Sequence, residues 1–378
     1  MSKGVMVAAF VALVALAGCS SVQVVRIGHA APLTGPLANL GTDNQRGAQL
    51  AIDDLNAKSP RIAGQPVRFE LVSEDDQADP RTGAAAAQRL VNAKVVAVVG
   101  HLNSGTSIPA SSVYSRAGIP TITPSATNPR LTRQGMTQTF RLVTDDSALG
   151  TVLGRYSVKN LGAKRVALVD DRTAYGQGVA DAFEAGARKA GAVIVGHEFA
   201  SDRTMDFSRV VTALSARDPD LVFYGGLDTQ VGPLLREMQR QGLNARLVGG
   251  DGICSASLAK LAGGSLPDNQ VWCGESGDID LPLTPQGEQF KRRFAERFNT
   301  KPVLYSPYAY DAVQLFARAM VDAGSTDPHV FTPVLAKTTG WQGITGQVSF
   351  DARGDLVDGP VTVFTYRGNL RAKTDVAR

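Results

Sequence analysis

The chain has 378 residues, enough for two domains rather than one, and its 43% hydrophobic content suits a soluble globular protein. There are 39 basic against 35 acidic residues, and the basic ones are scattered rather than run together, which excludes a nucleic-acid footprint. Neither a CxxC motif nor a histidine cluster is present (His29, His101, His197 and His329 are far apart), so the pattern calls for no metal.

The first element is a targeting segment. Lys3 precedes an apolar stretch from Val5 to Leu16, too short to span a bilayer and the length of a signal-peptide core. Leu16-Ala17-Gly18-Cys19 resembles the bacterial lipobox, which implies that residues 1–18 are removed and that Cys19 carries a lipid. Residues 19–25 are then a tether, and Ser20 after the cysteine favours the outer membrane by likeness to Gram-negative lipoproteins. Losing Lys3 with the signal leaves 38 basic against 35 acidic residues, a net +3. Cys254 and Cys273 remain, and two cysteines in an oxidising compartment point to a disulfide.

Strands then alternate with helices. Val24–Gly28 is a short β-branched run, and Gln45–Leu55 carries Ala48, Ala51, Ile52 and Leu55 at helical spacing. Val67–Val72 reads as a strand and Arg81–Val91 as a helix. Val95–Val99 is a continuous apolar run, as in a strand covered on both faces. Ile108–Arg116 reads as a helix, and Pro120–Ile122 opens a strand. The rhythm restarts with helix Leu149–Lys159, strand Val166–Val169, helix Gly178–Ala190 and strand Val193–Val195. Helix Phe207–Ser215 leads into strand Leu221–Tyr224, and helix Val231–Gln241 into Leu247–Val248. Two series of β-α units predict two parallel sheets with helices on both faces. Helices Gln286–Phe298 and Tyr308–Ala323 follow, with closing strands at Val348–Phe350 and Val361–Tyr366.

The chain carries no GxSxG elbow, HExxH or P-loop, and Gly176-Gln177-Gly178 lacks the third glycine of a dinucleotide fingerprint. Glu74-Asp75-Asp76 reads as an acidic strand end. Four segments lie just past strands, where open α/β sheets bind ligands. Gly100–Ser107 offers amides and the hydroxyls of Ser104 and Thr106, suited to a carboxylate, or is simply a capped strand-to-helix turn. Thr123-Pro124-Ser125-Ala126-Thr127-Asn128-Pro129 is stiffened by two prolines. Asp170–Gly178 brings Tyr175, an apolar face with a hydroxyl. Gly249-Gly250-Asp251-Gly252 places an acid that would meet an ammonium, or that merely turns the chain.

In order and spacing these segments resemble the periplasmic leucine/isoleucine/valine-binding family, the type I solute-binding proteins of amino-acid ABC importers. The likeness runs from Ile27 to about Asn369 and includes Thr34-Gly35-Pro36, Gly41, Arg46-Gly47-Ala48, Asp75-Asp76 and Asp79-Pro80. It implies two Rossmann-like lobes joined by three hinge crossings. One would hold residues 26–145 with 277–355, the other 146–276 with 356–378. It also implies that Ser104, Ser125, Ala126 and Thr127 hold a ligand carboxylate and that Asp251 pairs with an α-ammonium. Tyr175 would close over the ligand, and the Gly225-Gly226-Leu227 segment would line the same lobe. Leu40 and Leu227 stand where leucine-binding members carry tyrosines, Asp251 where they carry a longer Glu, and Asn103 and Gln77 where some have a disulfide. The implied protein is a periplasmic, lipid-anchored, monomeric and non-enzymatic binder without a cofactor, working with a membrane permease. A sensing or cell-wall-enzyme-regulating lipoprotein on the same fold, or an importer component for amides, urea or aromatic acids, is the alternative.

Overall fold

The computed structural model describes residues 22–264, 266–276 and 285–377; the lipobox and Cys19 lie outside them. The chain runs β1 (Gln23–Ala31), α1 (Ala38–Ala57), β2 (Arg61–Ile62), β3 (Gln65–Asp75), α2 (Pro80–Asn92), β4 (Ala97–Gly100), α3 (Ser104–Arg116), β5 (Thr121–Thr123) and β6 (Thr139–Arg141). It continues with α4 (Asp146–Lys159), β7 (Arg165–Asp170), α5 (Ala174–Ala190), β8 (Val193–Phe199), α6 (Ser208–Ser215), β9 (Leu221–Gly225), α7 (Asp228–Gln241), β10 (Arg246–Gly249), α8 (Leu258–Leu261) and β11 (Val271–Ser276). The last part comprises α9 (Pro285–Phe298), α10 (Ser306–Ala323), α11 (Pro328–Leu335), β12 (Trp341–Gly343), β13 (Gly346–Val348), β14 (Val361–Arg367) and β15 (Leu370–Ala377).

Two sheets organise these elements, in the orders β2-β3-β1-β4-β5-β6 and β15-β14-β11-β10-β9-β7-β8. Strands β1, β3, β4, β5 and β6 pair in parallel, as do β7 to β11. Only β2, β14 and β15 join these sheets antiparallel. Alternate side chains of one strand go to opposite faces: Val99 packs with α1 and α10 through Ala48, Ile52 and Phe316, whereas Val98 packs with α2 and α3 through Leu90 and Tyr114. In the second sheet Val169 faces Val231, Leu234 and Met238 of α7, and Leu168 faces Leu149, Leu153 and Phe183 of α4 and α5. Helices α4 and α5 touch so closely that a Cβ on Gly154 would stand 2.5 Å from the Ala187 nitrogen. This is the two-lobed α/β architecture that the alternation of elements predicts.

The chain passes between the sheets three times: from β6 to α4, from β11 to α9 and from Phe350 to β14. The middle passage, 277–284, lies outside the described residues. The other two meet beside its start. The Thr144 amide donates to the Ser276 hydroxyl, and the Thr144 hydroxyl donates to the Pro360 carbonyl at 3.5 Å. The Tyr308 hydroxyl ties α10 to the same place, donating to the Ser276 carbonyl at 2.7 Å.

Some boundaries differ from the sequence reading. Helix α3 starts at Ser104 rather than Ile108, because the Asn103 carbonyl accepts from the amides of Thr106 and Ser107 and closes the first turn. The pairing expected over Val348–Phe350 is instead the hairpin β12–β13, and Phe350 makes a single bridge to Leu356. Strands β6, β11 and β15 and helix α11 carry no periodicity strong enough to predict them.

Candidate ligand-binding site

The four post-strand segments converge at the C-terminal ends of the parallel strands, between the lobes. A narrow cavity there is lined by Ser104 and Ser125 from the first lobe and by Tyr175, Leu227, Asp251 and Gly252 from the second. Leu40, Leu102, Asn103 and Tyr305 complete the wall.

On the first lobe, α3 begins at Ser104, so its first amides and the Ser104 hydroxyl face the cleft at a helix N-terminus, where an anion is favoured. Two loops are bonded together there. The Ser104 hydroxyl accepts from the Asn128 amide at 3.2 Å, and the Ser125 hydroxyl donates to the Leu102 carbonyl at 2.8 Å. Thr106 does not join Ser104 at the cavity: its hydroxyl donates to the Asn103 carbonyl at 3.0 Å. Ala126 and Thr127 belong to the same loop but stand behind the wall. The Ala126 amide is taken by the Thr123 hydroxyl at 2.8 Å, and the Thr127 carbonyl accepts from the Asp146 amide at 2.9 Å.

Two buried charged groups that sequence reasoning passes over shape this lobe. Arg141 is fully buried; it donates to the carbonyls of Ala126 and Asn128 at 3.0 and 3.2 Å and pairs with Asp355 at 2.5 Å. It thereby fixes the loop that carries Ser125. The Asp43 carboxylate accepts the backbone amides of Val303, Leu304, Tyr305 and Ser306 at 2.8–3.1 Å. That nest holds the start of α10 and aims Tyr305 at the cleft.

On the second lobe, Asp251 opens a short turn after β10 and is buried. One carboxylate oxygen accepts from the Tyr175 hydroxyl and the other from the Tyr305 hydroxyl, each at 2.8 Å. The Tyr175 oxygen also accepts from the Gly252 amide at 2.9 Å. Glycine is required at 252, because a Cβ there would stand 2.9 Å from the Tyr175 ring and 2.7 Å from the Gly226 carbonyl oxygen. Three residues after Asp251, Cys254 is disulfide-bonded to Cys273 of β11, pinning the turn to the sheet. Tyr305 lies on the first lobe, so its bond to Asp251 crosses the cleft. Asn128 makes a second crossing, donating to the Ala174 carbonyl at 2.5 Å.

Burial raises the Asp251 pKa, against the opposing effect of the Tyr305 and Tyr175 hydrogen bonds. Asp146, at the start of α4, is also fully buried; burial first and the Asp251 charge second push it well above the usual carboxylate range. The buried Asp251 carboxylate, with only neutral hydroxyls on its oxygens, is a group that a cation would stabilise. The walls thus offer the N-terminus of α3 with the Ser104 hydroxyl on one side and an acid on the other, with leucine side chains in the lining.

The sequence matches the family model for periplasmic binding proteins over residues 24–371, and the chain belongs to that family. The family's role is solute binding outside the cytoplasm rather than catalysis. The chain is 37% identical over 371 residues to an amino acid binding protein of Pseudomonas aeruginosa, covering 96% of each. It is 34% identical over 356 residues to Leu/Ile/Val-binding protein homolog 2 of Brucella abortus, covering 94% of each. Among solved structures it resembles the branched-chain amino acid transporter substrate-binding protein LivJ of Streptococcus pneumoniae in complex with isoleucine. That likeness has a TM-score of 0.81 at 28% identity, over 93% of this chain and 99% of the other.

Proposed function

We propose that the chain is the extracytoplasmic solute-binding component of an ABC importer and captures an amino acid between its lobes. The observation that carries this is the buried Asp251 carboxylate, held by Tyr175 and Tyr305, across one cavity from Ser104 and Ser125. Ser104 and Ser125, backed by Ala126 and Thr127, take the α-carboxylate. Asp251 takes the α-ammonium, Tyr175 closes over the ligand, and Leu227 with Leu40 contacts its side chain. The relatives named above bind amino acids by their descriptions, which supports that assignment.

The moving bodies are residues 26–145 with 277–355 and residues 146–276 with 356–378. The closed form is what a membrane permease reads, and a lipid on Cys19 keeps the monomeric protein at a membrane. A ligand drives closure only through contacts that it makes better in the closed state, and Asp251 and Ser104, on opposite lobes, supply them.

Isothermal titration calorimetry with leucine, isoleucine and valine tests the reading. The expected result is saturable 1:1 binding, weakened about a hundredfold or more in Asp251→Ala, the cost of removing one partner of a buried charge pair. Undiminished affinity in that variant removes the ammonium from Asp251.

A further inference from the structure

We propose that His101 is a positioning residue of the cleft: its ring, fixed between Asp76 and Tyr114, sets where Ser104 and Ser125 stand for the ligand carboxylate. This rests on the proposed function, since it takes the carboxylate to lie at those two serines. His101 directly follows β4 and comes three residues before the start of α3. Its side chain is buried away from the cavity wall. Nδ1 stands 2.7 Å from an Asp76 carboxylate oxygen and Nε2 3.0 Å from the Tyr114 hydroxyl. A carboxylate only accepts, so in the neutral ring Nδ1 donates to Asp76 and Nε2 accepts from Tyr114. Both partners are themselves buried and held. The Asp76 amide donates to the Ala31 carbonyl at 3.1 Å, and its other carboxylate oxygen accepts from the Ala78 amide at 3.0 Å. Tyr114 is packed in the core with Leu90 and Val98. A planar ring bonded at both nitrogens to fixed partners has one orientation, and the backbone that bears it is set accordingly.

That backbone carries both loops of the carboxylate side. The His101 carbonyl accepts from the Thr123 hydroxyl at 2.9 Å and from the Ser107 hydroxyl at 3.1 Å. The Thr123 hydroxyl in turn takes the Ala126 amide at 2.8 Å and the Ser125 amide at 3.3 Å. One residue on, the Leu102 carbonyl holds the Ser125 hydroxyl. The Asn103 carbonyl then closes the first turn of α3, where Ser104 stands. The common device for fixing a helix start is missing, because Asn103 occupies the cap position and its side chain makes no capping bond. Leu102 is buried in the first core, but apolar packing is non-directional. Of the side chains at 101–103, among the described residues, His101 alone makes hydrogen bonds.

Hydroxyls and amides already in place lose little freedom when a carboxylate arrives, and the saving appears as affinity. Loosening residues 101–103 forfeits it at the carboxylate end. The ammonium end lies at Asp251 on the other lobe and is left as it was.

Calorimetry with L-leucine and L-leucinamide tests this, because the two share the ammonium and the side chain and differ at the carboxylate. The wild type is expected to bind leucine more tightly. In His101→Leu leucine should weaken about tenfold, the scale of a lost hydrogen bond, while leucinamide changes little, so that the ratio of the two affinities falls. His101→Asn, whose side-chain N–H can stand in for Nδ1, should restore most of the ratio. Tyr114→Phe keeps the ring and removes one of its two partners; it should lower the ratio in the same direction, and it decides the matter should His101→Leu fail to fold. A ratio that keeps its wild-type value in the variants overturns the inference. So does an equal weakening of both ligands that His101→Asn fails to relieve, which is what a merely structural residue would give. Leucine and leucinamide bound equally by the wild type would take the carboxylate away from Ser104 and Ser125, overturning this inference while leaving Asp251 its ammonium. No binding of leucine by the wild type overturns the proposed function and this inference together.

Discussion

Burial makes the charge on Asp251 conditional. Its carboxylate titrates above the ordinary range near 3.9 because the site is dry, and the two tyrosine hydroxyls only partly offset this. A bound ammonium stabilises the ionised form and draws the pKa down. Binding therefore releases a proton wherever the free protein holds one, and affinity should fall as pH falls through the raised pKa of the free protein. Titrations in buffers of different ionisation enthalpy should register that proton on the acidic side. Affinity that rises on acidification would place the ammonium elsewhere. Arg141 is the other residue on which the site turns. Its removal in Arg141→Met takes the charged partner from Asp355 and a donor from the carbonyls of Ala126 and Asn128, at an expected cost of roughly 3 kcal/mol in urea unfolding. Weaker ligand binding should accompany it, because the Ser125 loop loses its anchor.

At the level of elements, the turn after β10 depends on a covalent tie. The Cys254–Cys273 bond closes a loop with a sequence separation of 19, for which chain entropy predicts about 3 kcal/mol. A Cys254→Ser/Cys273→Ser variant should unfold at lower urea by that margin and bind ligand more weakly, since Asp251 lies three residues from the tie. Equal stability and affinity in the variant would mean that β10 and β11 hold the turn unaided. The elements also mark what the sequence makes legible. Ser104, Tyr175 and Asp251 can be found because each follows a recognisable apolar strand, and parallel sheets present ligands at those ends, whereas Leu227 is pointed to only by the family resemblance. Tyr305 cannot, because it is placed by Asp43, 262 residues away, and no local pattern encodes that contact. Arg141 cannot be found either, since its acceptors come from three separate segments. Strand β11 hides for a related reason: Gly274 and the buried Glu275 interrupt its apolar run, and only the partner Arg371 makes Glu275 tolerable inside.

For the whole molecule, the contacts across the cleft, Tyr305 to Asp251 and Asn128 to Ala174, belong to lobes drawn together. Each of these two hydrogen bonds opposes opening, and each contributes only about 1 kcal/mol net. The free protein should therefore be more open in solution than the liganded one. Small-angle scattering should give a smaller radius of gyration at saturating amino acid, and superimposable curves would defeat the hinge reading. The start of β1 at Gln23 sets one further limit. A chain lipidated at Cys19 has four residues of leash before its first strand, no more than about 15 Å when fully stretched. On so short a line the first lobe rides against whichever bilayer holds the lipid and searches a plane rather than a volume. With Cys19 lipidated, it would not swing across to a second membrane, and its permease would share the membrane that holds the lipid, whatever Ser20 suggests about sorting.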